Sequence, residues 1–231
     1  MDAGNTLSAP QGPVKSSEGQ VIIEAMNMLG YDAMALGAQD LPLGIEALRK
    51  RMAEAKFPIL SANLTIAEGG QLFASPYVIK EMAGHRIAII GLTGSDQSSG
   101  SPPSQKGPFV VKEPIETAKR YVKEVSTRAD IVILLSNVGL PLDQKISEQV
   151  PGIDIIIGGQ TRSLLTPTRH TEKGAVIAQA GYRGEWIGSM QVEFDARGNV
   201  VNFQGQTVAL APEYSDDAQM REFLNRIQGK P

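Results

Sequence analysis

The chain contains no cysteine, which excludes a disulfide, a thiolate nucleophile and a zinc–thiolate site. No apolar run approaches the roughly 18 residues that a membrane-spanning helix needs. The first residues, Met1 to Gly4, show neither the basic region nor the apolar region of a signal peptide. A lack of cysteine is compatible with the cytoplasm and with the periplasm, so the compartment stays open.

An excess of positive charge is also missing. The net charge of -3 and the pI near 5.5 argue against nucleic acid or an acidic membrane as the partner. Hydrophobic residues make up 42% and charged residues 20% of the sequence, as in ordinary globular proteins. The 231 residues are enough to bury a sizeable core, in one large domain or two small ones.

Two short aliphatic runs, residues 130–139 and 152–163, organise the chain. Each is too short for a helix of normal length, and such a run is typical of a strand that is covered on both faces. The polar residues follow each run directly, at the carboxyl end of the strand. Open α/β sheets build their sites there.

Helical and strand patterns alternate first, and strands cluster late. We predict helices over 18–29, 45–55, 114–128, 140–150 and from 215–217 to 227, further strands over 32–36, 57–62, 77–82, 85–92, 175–180, 186–194 and 200–210, and a surface loop over 95–108. The basic cluster Arg49, Lys50 and Arg51 is expected on the solvated face of its helix. The pattern favours two stacked sheets with helices outside.

The two strand-end loops resemble the histidine loops of the 5′-nucleotidase type of calcineurin-like metallophosphatases. L-S-N-V-G at 135–139 stands where that family has L-S-H-L-G, and G-G-Q-T-R-S at 158–163 stands where it has G-G-H-T-H-S. D-A-G-N-T-L at 2–7 resembles the family's D-A-G-D-T-L, and similar stretches occur at 31–33, 61–63, 87–93 and 179–181.

This resemblance implies the family's four-layer α/β/β/α metallophosphatase sandwich, as one domain over 1–231 with a C-terminal helix or linker over about 211–231. In the family a strand precedes the D-A-G-D-T-L stretch, and an earlier strand carries a D-x-H-G motif. We therefore expect a sandwich missing its first strands. The exposed sheet edge is expected to pair with a protein partner or a second copy, or to be covered by residues 6–15.

The family's site holds two divalent metals, and a metal-bound hydroxide attacks phosphorus. The positions that match its bridging aspartate, asparagine, catalytic histidine and three later histidines are Asn5, Ala38, Gln39, Asn137, Gln160 and Arg162. Asp40 is the one acid beside them, and a mostly neutral cluster with one acid is a poor divalent site. We therefore expect a vestigial site with no catalytic residue, no metal and no cofactor.

Other side chains do not replace the lost ligands. His85 begins a hairpin strand and His170 lies in a charged connection, so both are expected outside the ligand loops. Asp154 is expected to hydrogen-bond locally. Ser136, without a histidine partner, is not a credible nucleophile.

Arg162 introduces a permanent cation beside the amides of the vestigial site. These groups predict weak binding of an anion without metal. The alternative is an inert polar crevice in which Arg162 pairs with Asp40 or with solvent. Tyr182 and Trp186 either flank this mouth or pack in the core or rim.

Three functions follow from the resemblance. The first is a non-catalytic scaffold, partner-binding or weak anion-binding module that has lost its dimetal ligands. The alternative is a metal-dependent phosphoesterase that acts on nucleotides or related esters. The third is a spacer within a larger exported protein, since the family is periplasmic or extracellular.

Overall fold

The computed structural model describes residues 1–82, 84–95, 105–169, 174–195 and 200–229. The strands are Met34–Ala35 (β1), Ile59–Leu60 (β2), Leu64–Ile66 (β3), Tyr77–Met82 (β4), His85–Leu92 (β5), Gln105–Lys106 (β6), Phe109–Val111 (β7), Ile131–Ser136 (β8), Ile155–Gly158 (β9), Leu164–Arg169 (β10), Val176–Ala180 (β11), Trp186–Phe194 (β12) and Val200–Ala209 (β13). The α-helices are Gly12–Ser16 (α1), Gln20–Met28 (α2), Gly44–Glu54 (α3), Pro114–Val125 (α4), Leu140–Gln149 (α5) and Ala218–Gln228 (α6).

A six-stranded sheet with the order β10-β11-β9-β8-β5-β4 is the largest in the described chain. Its four inner strands are parallel, whereas β4 and β10 join antiparallel at the two edges. Ser136 at the end of β8 pairs with Gly158 at the end of β9. The polar loops after these two strands therefore leave the sheet side by side.

The sheet is covered on both faces, which explains its aliphatic strands. On one face Ile90, Leu134 and Ile156 pack with α4 and α5. On the other face Ile89, Ile133 and Ile155 face β1, β2 and the β12–β13 ribbon. Outside that second layer lies a cluster from α2, α3 and the β1–β2 region. The layers run α/β/β/α, as the sequence predicted.

The helix α4 forms where predicted because its ends and its face are specified locally. Pro114 stands in the first turn, and the Glu113 carboxylate accepts hydrogen bonds from Ile115 N (3.0 Å) and Glu116 N (2.7 Å). The buried positions share one face at helical spacing: Ala118, Tyr121, Val122 and Val125.

The hairpin strands β4 and β5 and the strand β12 have the predicted bounds. The sequence patterns missed α1, β3, β6, β7 and β10, and β6 lies within the segment predicted to be the 95–108 loop. Thr168 and Pro167 interrupt the alternation of β10, and its pairing with β11 shifts register between Leu165 and Thr168. The 196–199 turn and most of the 95–108 loop lie outside the described residues.

Arg51 corrects the prediction of a solvated basic cluster. Its side chain is 1% exposed, whereas Arg49 and Lys50 are exposed. The guanidinium donates to Ser17 O (2.7 Å) and Glu18 O (3.2 Å) and forms an ion pair with Glu54 (2.9 Å). Arg51 thus joins α3 to the turn between α1 and α2.

The first residues run beside β1. Asp2 N donates to Ala33 O (3.1 Å) and Ala35 N donates to Asp2 O (2.9 Å), which makes a parallel bridge between Asp2 and Met34. Residues 6–15 form no strand and contain most of α1, so they do not cover this edge by strand pairing. Of the helices described, none has the length and apolar character that a membrane crossing requires.

Candidate functional site

The candidate site lies where several loops converge at the carboxyl ends of β1, β8 and β9. The loop after β1 carries Gly37 to Asp40, and the loops after β8 and β9 carry Asn137 and Gln160. A fourth segment, residues 3–7, lies against the first of these loops. The fold therefore brings together residues that are nearly a hundred or more positions apart in sequence.

Asp40 organises one half of the site. Its carboxylate is fully buried and accepts three backbone hydrogen bonds, from Asn5 N (3.0 Å), Gly37 N (2.9 Å) and Leu7 N (2.8 Å). Burial raises the pKa of Asp40 to about 6, although the backbone hydrogen bonds oppose this shift. The pairing of Arg162 with Asp40, considered from the sequence, is not formed.

The amides of Asn5 and Asn137 are already engaged by the backbone. Asn5 Oδ1 accepts from Gln39 N (2.8 Å), and Asn137 Oδ1 accepts from Ala38 N (3.2 Å). Asn137 Nδ2 donates to Ala3 O (2.7 Å). These side chains therefore bind the loops to one another and present few free oxygens to a ligand.

Close packing in this region requires glycine. A Cβ atom on Gly37 would overlap the Asn5 amide, and a Cβ atom on Gly159 would lie 2.9 Å from Ala3 Cβ. Asn5 itself has a left-handed backbone with a φ of 66°. Such a conformation persists where the surrounding contacts over-determine it.

Gln160 and Arg162 lie farther out. Gln160 is half-buried against the loop after β8, since a Cβ atom on Gly139 would meet Gln160 Oε1 at 2.8 Å. Arg162 is exposed, with a φ of 57°, and its Cζ lies 5.9 Å from the centroid of the Tyr182 ring. The structure thus gathers Asn5, Ala38, Gln39, Asp40 and Asn137, with Gln160 beside them and Arg162 at the rim.

A second polar group behind the loops was missed from the sequence. The Ser136 hydroxyl donates to the buried Asp143 carboxylate, and Gln179 Oε1 accepts from Thr161 Oγ1 (2.8 Å) and Ser163 N (3.3 Å). A Cβ atom on Gly158 would meet Gln179 Nε2 at 2.5 Å and Asp143 Oδ2 at 2.7 Å, so the two side chains close over this glycine. These contacts join β8, β11 and the loop after β9.

Asp143 shares the buried face of α5 with two other side chains, Ile146 and Ser147. An acidic residue on an otherwise apolar helix face is unusual, and this feature of the sequence could have identified Asp143 as a buried polar residue. Burial raises the pKa of Asp143 to about 7, against the hydrogen bond from Ser136.

The donor set does not fit a pair of divalent ions. A divalent ion needs several free ligand atoms, oxygens for a hard cation or imidazole nitrogens as well for a transition metal. The oxygens of Asn5, Asp40 and Asn137 already accept backbone hydrogen bonds. Across the parts of the chain described, no three His, Cys, Asp or Glu side chains converge on one point. Ala38 offers no side-chain ligand atom at all.

The residues considered as replacements lie elsewhere. His85 packs with Phe194, ring centroids 5.9 Å apart, at the start of β5, and His170 lies outside the described residues. Asp154 Oδ2 accepts from Val132 N (2.8 Å), 22 positions earlier in sequence. This hydrogen bond joins the start of β9 to β8 and is not the local one that was expected.

Comparison with known proteins gives a consistent result. No family model matches the chain. A snake venom 5′-nucleotidase from Gloydius brevicauda is 29% identical over 99% of this chain and 42% of its own length. A 5′-nucleotidase precursor from Thermus thermophilus superimposes with a TM-score of 0.85 at 26% identity, covering 99% of this chain and 48% of that one.

The sulfate thiohydrolase SoxB from Thermus thermophilus shares the fold, with a TM-score of 0.86 at 21% identity, over 99% of this chain and 42% of that one. The chain thus spans less than half the length of each of these three proteins. In sequence and in fold, the chain is related to the 5′-nucleotidase type of calcineurin-like metallophosphoesterases.

Proposed function

We propose that this chain is a non-catalytic 5′-nucleotidase-like domain, which has lost the dimetal ligands of its relatives and binds a small anion weakly at Arg162. The proposal is supported mainly by one observation: the side-chain oxygens of the site already accept hydrogen bonds from the protein backbone. Asn5, Asp40 and Asn137 accept hydrogen bonds from neighbouring backbone amides, so the loops close on themselves. Such a site does not offer the ligands for the two metal ions that stabilise an in-line displacement at phosphorus.

Arg162 supports the anion-binding part of the proposal. Its guanidinium is exposed and stacked on Tyr182, and no described carboxylate lies in an ion pair with it. A guanidinium presents a planar fork that matches phosphate or sulfate. One hydrogen-bonded contact of this kind contributes about 1.5–3 kcal/mol, so we expect a dissociation constant of about 1 mM or weaker that rises with salt.

The first experiment measures metal and turnover in the same preparation. We expect less than about 0.1 equivalent of transition metal after dialysis and no AMP hydrolysis above background with added Mn²⁺ or Zn²⁺. Two retained equivalents together with Mn²⁺-dependent release of phosphate would favour the alternative, a metal-dependent phosphoesterase. The names of the relatives support that alternative.

The second experiment follows an NMR titration with inorganic phosphate. We expect saturable shifts for Arg162 and Tyr182 in the parent and at least a roughly threefold loss of affinity in Arg162→Gln. Arg120→Gln is the matched control, because Arg120 is also exposed and stacks on a tyrosine, 5.1 Å from the Tyr121 centroid, on the distant helix α4. Equal affinity in the parent and in Arg162→Gln leaves the inert crevice as the better description.

A further inference from the structure

A second arginine lies against the same aromatic ring as Arg162. The Cζ atom of Arg183 is 5.3 Å from the Tyr182 centroid, and the Cζ atom of Arg162 is 5.9 Å from it. Tyr182 is 44% exposed, and both arginines are exposed. Cation–π attraction to one ring therefore places two permanent cations at the rim of the site, each within about 6 Å of the ring centroid.

The backbone segments that carry the two arginines are joined to each other. Gly181 N donates to Ser163 O (2.9 Å), which ties the Tyr182 turn to the Arg162 loop. Arg162 and Arg183 both have left-handed backbones, with φ values of 57° and 62°. Non-glycine residues are uncommon in this region of backbone conformation, and those that adopt it cluster at ligand-binding sites. Arg162 lies in the loop after β9 and Arg183 in the turn after β11, so each of the two joined segments carries one arginine with a left-handed backbone.

Several other exposed arginines of the described chain have carboxylate partners. Arg86, Arg221 and Arg226 form ion pairs with Asp130, Asp216 and Glu24. Within the described residues, neither Arg162 nor Arg183 forms an ion pair. Two like charges that share a ring repel each other, and an anion that contacts both relieves this repulsion.

We propose that Arg162, Tyr182 and Arg183 form a clamp for a ligand with two linked anionic groups, of which a diphosphate is the simplest chemical class. Each guanidinium matches one phosphate group by bidentate hydrogen bonding. The clamp rests on the proposed anion site at Arg162 and extends it, because Arg183 sets a preference for a diphosphate over a single phosphate.

The test is a pair of NMR titrations at constant ionic strength, with inorganic phosphate and with inorganic pyrophosphate. In the parent we expect pyrophosphate to bind about tenfold more tightly than phosphate. Arg183→Gln should lose most of this preference and keep its phosphate affinity within about twofold. Arg162→Gln should weaken both anions, and Arg120→Gln should change neither.

A further variant tests the ring. Tyr182→Phe keeps the aromatic face and should keep the pyrophosphate preference, whereas Tyr182→Leu should reduce it, because an aliphatic side chain gives no cation–π attraction. Dispersed amide spectra of each variant establish that the exposed substitutions leave the fold intact.

The outcomes separate the two proposals. If phosphate binding depends on Arg162 but pyrophosphate binds no better than phosphate, or Arg183→Gln behaves like Arg120→Gln, the clamp is wrong and the single-anion site stands. If Arg162→Gln leaves phosphate affinity unchanged, the anion site itself is wrong, and the clamp built on it fails as well.

Discussion

At the residue scale, the candidate site is stabilised by side chains that hydrogen-bond to backbone groups of the surrounding loops. Asp40 takes three amide donors from two separate segments, and Asn137 joins Ala38 to Ala3. Buried polar groups of this kind stabilise a fold only while every partner is present. Loss of one acceptor therefore costs more than one hydrogen bond is worth.

Replacement of Asp40 tests this organisation. Asp40→Ala leaves the amides of Asn5, Leu7 and Gly37 without an acceptor, and we expect a loss of about 3 kcal/mol or more in the free energy of unfolding. Asp32→Ala is the control, because Asp32 is 40% exposed and forms an ion pair with Lys80, so its loss should cost less than about 1 kcal/mol. Urea denaturation of both variants measures the difference, and equal losses would contradict the role of Asp40.

Asp143 should make stability depend on pH. Its pKa is raised to about 7 in the folded chain, whereas an unfolded aspartate ionises near pH ~4. Between these values the folded chain holds a proton that the unfolded chain releases, so stability falls as pH rises. The contribution is fully present below about pH 4 and lost above about pH 7, with an upper limit of about 4 kcal/mol.

Asp143→Asn should flatten the fall in unfolding free energy between about pH 5 and pH 8, as measured by urea denaturation. Asp40 and Asp2, whose pKa values burial also raises, account for the slope that remains. Asp130→Asn should keep the parent slope, because Arg86 lowers the pKa of Asp130 to about 2 and this group stays ionised throughout the range. A parent slope in Asp143→Asn would contradict the assignment.

At the scale of elements, the helices are attached by a few specific side chains. Arg51 is the clearest case, because one buried guanidinium connects α3 to the turn between α1 and α2. That turn precedes α2, which packs with α3. The attachment therefore supports the outer helical layer beside the candidate site.

We expect Arg51→Met to destabilise the fold by about 3 kcal/mol, since it leaves Glu54 and the carbonyls of Ser17 and Glu18 without their donor. Arg49→Met, two residues earlier on the exposed face, should change stability by no more than about 0.5 kcal/mol. Thermal and urea unfolding of the two variants make the comparison. Equal effects would indicate that Arg51 contributes only as a solvated charge.

At the scale of the whole molecule, the second sheet layer is the less complete one. The short pair β1–β2 is extended on one side by the single bridge of Asp2 to Met34, and β12 and β13 pair only with each other in the described chain. Between this layer and the six-stranded sheet lies a groove of ≈ 350 Å³, lined by Met1, Ile133, Ile157 and Met190 among others. Unpaired strand edges favour pairing with another chain.

We therefore expect the chain to form a homodimer through the edge beside β1. Light scattering coupled to size exclusion should give twice the mass of 24.7 kDa at concentrations of about 100 µM, with dissociation on dilution. Hydrogen exchange at the backbone amides of Asp2 and Ala3 should be slower in the dimer than in the monomer. A monomer at that concentration with freely exchanging amides there would contradict edge pairing.

The sequence by itself determined the features that depend on local pattern. The hairpin β4–β5, the strand β12 and the capped helix α4 have the predicted type and nearly the predicted bounds, because alternation, turn residues and capping residues act over a few positions. The ordered motif matches also determined the fold class and the positions of the strand-end loops, which the structure brings together around Asp40 and Asn137.

Only the tertiary structure decided which polar side chains are buried and which are free. Arg51 and Asp143 are buried because distant segments surround them, and Asp40 is satisfied by amides that lie up to 35 positions away. The neighbourhood of Arg162, Tyr182 and Arg183 likewise forms where the turn after β11 meets the loop after β9. No local pattern encodes these contacts, since each depends on the packing of segments that are remote in sequence.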